Sequence, residues 1–153
     1  MATLTVTHTE TLVLNGSQQG GTIVKSITGI NEAFKRLLTI TTNEAVIATM
    51  SGAVSSAGHF NDSAVRYMRF TNLDGTNHVT LTFRNQDNDE FAIKVDAGNT
   101  LAIHADNSGG MVAMFNATQD ADAASDTALG SITNIQADAG ASTVQIEMFV
   151  ATT

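Results

Sequence analysis

The sequence predicts an all-β protein, an antiparallel β-sandwich or jelly roll of about ten strands. Threonine, a β-branched residue that suits a pleated surface with one face in solvent, occurs 22 times among the 153 residues. Short runs of alternating apolar and polar residues recur along most of the chain, with turn formers between them. A chain of this length fits one domain, so we expect a single β-sandwich domain over residues 1–153.

The N-terminal residues predict an extended strand or arm. Leu4, Val6 and His8 alternate with polar residues, which is the period-2 pattern of a half-buried strand. The segment 15–21 clusters turn formers and precedes a short β-rich run at residues 22–27. We therefore expect an extended arm at residues 1–20, ending in a loop that leads into the next strand.

The sequence of the next segment is compatible with a helix and with a strand. Apolar residues between Ile30 and Leu37 have the spacing of a short helix, whereas residues 37–40 are typical of a strand. Two β-rich runs, residues 36–42 and 45–50, are joined by a two-residue polar link. That arrangement predicts a β-hairpin.

The clearest pattern lies between residues 64 and 104 and predicts four consecutive strands, as in an antiparallel meander or a sandwich. An apolar run at residues 111–115 follows, and residues 116–130, rich in Ala and Asp, predict a loop or a short helix. Residues 131–137 are a further β-type run. Clean alternation at residues 142–151 predicts a C-terminal strand inside a sheet.

The charge distribution argues against nucleic acid and against an anionic membrane as partners. The formal net charge is -8, and the seven basic residues do not cluster as phosphate binding requires. All seven lie between Lys25 and Lys94, so residues 95–153 form an acidic region with 7 acids. The chain has no Cys, no apolar run of the ~20 residues that cross a bilayer, and no obvious export signal.

Motifs that carry chemistry are absent from the sequence, so we expect a non-enzymatic protein without a cofactor or a metal. The four histidines, His8, His59, His78 and His104, have no metal-ligand spacing. A zinc site would have to be assembled entirely by the fold.

One segment resembles a calcium-binding loop. Asn85, Asp87 and Asp89 have its alternate-residue spacing, but Glu90 and Asp96 stand where that loop has Gly and Glu. A polar hairpin tip is the favoured interpretation, and calcium binding is the alternative.

The candidate interface residues are Arg66, Arg69, Arg84, His59 and Phe60. Strand alternation predicts that Arg66 and Arg69 lie on opposite faces of one strand, while Arg84 ends the next strand. We expect these arginines to pair with acids of a neighbour, such as another subunit's acidic C-terminal third. Ordinary solvated ion pairs within the chain are the alternative. His59 and Phe60 lie in a long polar segment, residues 51–63, and such loops often carry contacts.

Three stretches, VRYMRFTNLDGTNHVTLTF from residue 65, EFAIKVDAGNTL from residue 90 and the closing VQIEMFVATT, resemble small β-sandwich structural proteins of tailed bacteriophages. The resemblance covers the C-terminal two thirds and is a strand-and-turn pattern without a residue-specific motif. It implies a virion component, namely a capsid decoration (cement) protein that binds the major capsid protein as a homo-oligomer, with a trimer favoured.

The same resemblance implies a location on the capsid surface after synthesis in the host cytoplasm. A tail or fibre module that binds a host receptor or a glycan is the alternative function. A small β-barrel enzyme of the cupin type is a third hypothesis, and it requires histidines and a carboxylate that converge on a metal ion.

Overall fold

A computed structural model describes residues 1–54, 56–105, 109–115 and 132–153 of the chain. The strands are β1 (Ala2–Thr9), β2 (Val13–Leu14), β3 (Ser17–Gln18), β4 (Thr22–Ile30), β5 (Glu32–Ile40), β6 (Ala45–Met50), β7 (His59–Phe60), β8 (Val65–Asn72), β9 (Val79–Asn85), β10 (Glu90–Val95), β11 (Thr100–His104), β12 (Ile132–Ala139) and β13 (Val144–Thr152). A short helix, α1, spans Gly110–Phe115. Ten of the described strands have five residues or more, which agrees with the predicted number.

Eight of these strands form two antiparallel sheets with the strand order of a jelly roll. Sheet I has the order β11-β8-β13-β5, and sheet II has the order β10-β9-β12-β6, with β7 added parallel to β6. The strands form nested pairs that alternate between the sheets. β9 pairs with β10 in sheet II, β8 with β11 in sheet I, β6 with β12 in sheet II and β5 with β13 in sheet I. This nesting of pairs between two sheets is the jelly-roll topology, so the predicted fold class is confirmed.

The main core lies between the two sheets, because each strand turns its apolar face inward. The largest side chains with less than 2% exposure are Phe60, Phe70, Phe83, Met68, Leu81, Met111, Ile135, Ile146 and Met148. Both sheets and the short helix contribute to this set. Burying one such side chain stabilises the fold by about 1.5–3 kcal/mol relative to leaving it in water.

The four strands predicted between residues 64 and 104 are present as β8 to β11. They do not form a meander, because β8 and β11 pair in sheet I while β9 and β10 pair in sheet II. The sandwich alternative was therefore the correct one. The C-terminal strand β13 lies between β8 and β5, inside sheet I as predicted.

The hairpin predicted for residues 36–42 and 45–50 is wrong. β5 pairs with β13 in sheet I, and β6 pairs with β12 in sheet II, so the polar link crosses from one sheet to the other. β5 and β6 each bury an apolar face in the core from their own sheet, since local alternation specifies a buried face and not a partner strand. The segment that begins at Ile30 continues as strand and not as helix, and residues 111–115 are helical. The prediction for residues 116–130 lies outside the described residues.

The N-terminal arm is a long hairpin built from β1 to β4. β1 pairs with β4 along its whole length, and β2 pairs with β3 at the far end. Asn15 and Gly16 close the hairpin with φ values of 51° and 77°, which are the positive angles of a type I′ turn. The arm runs to Ile30, beyond the predicted limit of residue 20.

Candidate functional site: the N-terminal arm

The arm crosses the outer face of sheet I and is held there by a second apolar cluster, the arm cluster. Ile27 and Ile30 of β4 are buried in it together with Tyr67 and Ala151 of sheet I. Partly buried apolar residues pack against this cluster, and they are Leu4, Val6, Ala102 and Phe149. The members of the cluster that belong to sheet I come from β13, β8 and β11, so the arm passes over the sheet toward the β11 edge.

Tyr67 of β8 connects the sides of the arm cluster that lie on β11 and on β13. Its side chain is 5% exposed, and its ring meets His104 and Phe149 edge to face, with centroids 5.1 Å and 6.1 Å apart. Burial raises the pKa of the Tyr67 hydroxyl, and the nearby Arg69 opposes that shift. Tyr67 is thus an apolar anchor for the arm and stays protonated at neutral pH.

The arm tip, residues 10–24, exposes large apolar side chains. Those between 55% and 70% exposed are Leu12, Val13, Leu14, Ile23 and Val24. β1 reaches the edge strand β11 at His8, so the tip extends past the sandwich. Several large apolar side chains exposed on one short segment make the tip a candidate site of interaction with another molecule.

At the base of the tip, the fold brings together two of the four histidines. The Nε2 atoms of His8 and His104 lie 3.1 Å apart, although 96 residues separate them in the chain. Burial, and then the nearby His8 and Lys25, lower the pKa of His104. This imidazole is therefore neutral at neutral pH.

A groove of about 710 Å³ runs between β1 and the outer face of sheet I. On its floor, Glu147 accepts a hydrogen bond from Lys35 Nζ at 2.8 Å and another from Arg69. Lys35, with a further contribution from Arg69, holds the pKa of Glu147 below its usual value. The Arg69 guanidinium also lies over the Phe149 ring, 5.8 Å from its centroid.

Two of the three candidate interface arginines form ion pairs within the chain. Arg69 pairs with Glu147, and Arg84 donates from Nε and Nη2 to Glu90, at 2.9 Å and 2.7 Å. The Arg84–Glu90 pair lies directly across β9 and β10. For both residues the geometry is that of the alternative interpretation, an ion pair within the chain.

Arg66 departs from the predicted alternation. Ala151 pairs with Tyr67 and Thr152 pairs with Val65, so Arg66 is an extra residue, a β-bulge in β8. It lines a cleft with Ile27 of the arm, and its Nη1 donates to the Ser63 carbonyl at 2.6 Å. Arg66 and Arg69 therefore both lie beside the arm, and their assignment to opposite faces is wrong because the bulge resets the alternation.

The prediction that Phe60 belongs to an interface is wrong. It is 1% exposed and meets Phe34 edge to face, with centroids 5.2 Å apart, so it cannot touch a partner in this fold. His59 is half-buried and lines a groove of about 500 Å³ between β5 and β6, where the predicted hairpin is not formed.

The segment 85–89 has the geometry of the favoured interpretation, a polar hairpin tip between β9 and β10. Asn85 is 3% exposed, and its Oδ1 accepts hydrogen bonds from the backbone N–H groups of Asp87 and Asp89, at 2.9 Å and 2.8 Å. Asn88 adopts a φ of 68°, which such turns require. Within the described ranges, no group of three His, Asp or Glu side chains is placed to hold a metal ion.

No helix in the described part of the chain is long and apolar enough to cross a membrane. Comparison with known proteins finds no matching family and no matching curated protein. A solved structure of Bacillus endospore appendages, described as a novel family of disulfide-linked pili, matches 80% of this chain and 85% of its own, at 13% identity and a TM-score of 0.45.

Proposed function

We propose that this chain is a non-enzymatic structural subunit of a virion, a capsid decoration protein that binds the major capsid protein as a homotrimer. The observation that carries the proposal is the apolar arm tip. The core between the two sheets, as far as the structure describes it, does not include the five exposed side chains of the tip, so they are available to another protein surface. The resemblance of the strand-and-turn pattern to phage structural proteins supports the choice of a capsid.

The size of the tip fits binding through several weak contacts. Full burial of a Leu, Ile or Val side chain is worth about 1.5–3 kcal/mol, so completing the burial of each tip residue yields about 1–2 kcal/mol. Association costs on the order of 4–15 kcal/mol, so a single tip binds weakly. Three arms that engage one lattice together gain avidity of about 10²–10⁴. A trimer on a capsid supplies that arrangement.

The test is co-sedimentation of the purified protein with particles assembled from the major capsid protein of the same virus. Three proteins are compared, namely the wild type, the double variant Leu12→Ser/Leu14→Ser, and the control Leu37→Ser. Leu37 is 66% exposed on β5, outside the arm, so the control makes one such Leu→Ser change elsewhere. We expect the double variant to lose about 2–4 kcal/mol of binding, which is about 30-fold or more in affinity.

Each outcome decides one part of the proposal. Wild-type protein that does not co-sediment with the particles contradicts capsid decoration. A double variant that binds like the wild type, or a control that loses as much binding, contradicts the role of the arm tip.

The alternative is a tail or fibre module that binds a host receptor or a glycan. The groove between β5 and β6 that His59 lines offers such a ligand a concave surface away from the arm. Binding to host cells without binding to capsid particles would favour this alternative.

A further inference from the structure

His8 and His104 join the arm to the sandwich at its β11 edge. His8 is the second-last residue of β1, and His104 is the last residue of β11. Their rings are tilted by 58° with centroids 5.3 Å apart, and the two Nε2 atoms approach to 3.1 Å. His8 lines the open groove under the arm, so the pair is within reach of solvent ions.

The separation of these two nitrogens is that of two ligands on one metal ion. Zinc binds imidazole nitrogen at ~2.0–2.1 Å, and two such ligands that subtend ~90–110° at the ion lie ~2.9–3.4 Å apart. The distance of 3.1 Å between the Nε2 atoms falls inside this range. The backbones of β1 and β11 therefore hold the two imidazoles at a spacing that suits chelation.

We propose that His8 and His104 bind a divalent transition metal ion of the zinc, nickel or copper class, which fastens the arm to the sandwich. Imidazole is a preferred ligand of these ions. Both Nε2 lone pairs must face the ion, so both rings take the Nδ1–H tautomer. Without the ion, one Nε2 carries the proton that it donates to the other Nε2. When the ion binds, that proton moves to Nδ1 of the same ring, and the net charge of the two rings does not change.

The surroundings predict a site of moderate affinity. No third His, Asp or Glu of the described residues completes it, so water fills the remaining positions on the ion. The positive charge of Lys25 acts on His104 and opposes a cation there. Tyr67 packs edge to face against His104 and fixes the orientation of that ring.

The consequence of binding is local to the arm. The apolar tip begins two residues after His8, so an ion at this point fixes the direction in which the tip leaves the sandwich. The inference does not depend on what the tip binds. A failed metal test leaves the capsid proposal standing, and failure to bind capsids leaves the metal site standing.

The experiment titrates the untagged, full-length protein with Zn²⁺ and with Ni²⁺ by isothermal calorimetry. The variants are His8→Gln, His104→Gln and the control His59→Gln, which removes a histidine far from the pair in the chain. We expect one ion per chain for the wild type and for the control, and at least a ~10-fold weaker affinity for the variants that lose one of two ligands.

Hydrogen exchange gives a second measurement of metal binding that does not depend on the heat of binding. Zn²⁺ is expected to slow amide exchange in β1 of the wild type and to leave exchange in the His8→Gln variant unchanged. His8 is exposed, so this variant folds and the test stays decisive even if His104→Gln does not fold. Equal binding by the wild type and His8→Gln, or no binding by the wild type at millimolar ion, overturns the proposal.

Discussion

Replacing Tyr67 by Ala tests whether the arm is held by its own apolar cluster, separate from the main core. Tyr67 and Met68 are adjacent on β8 but face opposite sides of sheet I, with Tyr67 in the arm cluster and Met68 in the main core. Both are at most 5% exposed. The pair therefore offers a comparison of two adjacent buried residues that face opposite sides of sheet I.

The size of the Tyr67 effect follows from its burial. An aromatic side chain buries ~150–250 Å², which corresponds to about 4–6 kcal/mol at ~25 cal/mol per Å². Measured aromatic-to-Ala costs of about 3–5 kcal/mol give the value we expect for the loss of arm docking. Local opening of the arm then becomes at least ~100-fold more frequent.

The assay is native-state hydrogen exchange, followed separately in the arm strands and in β9, β12 and β13. Tyr67→Ala is expected to raise exchange of amides in β1 and β4 far more than exchange in the core strands. Met68→Ala is expected to lower the free energy of unfolding by about 2–5 kcal/mol and to raise exchange throughout. Equal losses of protection in arm and core for Tyr67→Ala would refute a separately held arm.

Two further predictions concern single polar residues. Asn85→Ala removes the acceptor of two backbone N–H groups and is expected to lower the free energy of unfolding by about 1–3 kcal/mol in urea denaturation. The neighbouring exposed change Gln86→Ala should cost under about 0.5 kcal/mol, and equal costs would contradict the capping role of Asn85. Lys35 and Arg69 lower the pKa of Glu147 in the folded state, so its carboxylate stabilises the fold above its unfolded pKa, and this contribution is lost as pH falls through the folded pKa. We expect the wild type to be more stable than Glu147→Gln by less than about 1 kcal/mol at pH 7, which is typical of such an ion pair. This difference in the free energy of unfolding should be absent at pH 2. A difference that persists at pH 2 would contradict the role of the ion pair.

Strand positions could be predicted from the sequence because burial alternates along a strand that has one face on the core. Val79, Leu81 and Phe83 of β9 show the pattern directly, since each is at most 1% exposed. Which strands pair could not be predicted in the same way. β5 and β6 have the sequence of a hairpin, but they lie in different sheets, since local alternation identifies a buried face and not a partner strand.

Less of the candidate site than of the strand positions could be predicted from the sequence. His8 and His104 meet only because the arm folds back over sheet I, and no spacing in the chain signals this contact. The bulge at Arg66 likewise follows from its pairing with β13. One signal was present, since the Asn15-Gly16 pair between β-rich runs is typical of a type I′ hairpin and would have extended the predicted arm to its true length.

The proposal that this chain is a structural subunit that binds a capsid through its arm tip is tested most directly by electron cryomicroscopy of particles of the source virus. We expect density for the jelly roll on the outer capsid surface, with residues 10–24 of each arm buried against neighbouring protein. Particles that lack the protein, or that carry it with every arm tip exposed to solvent, would contradict it.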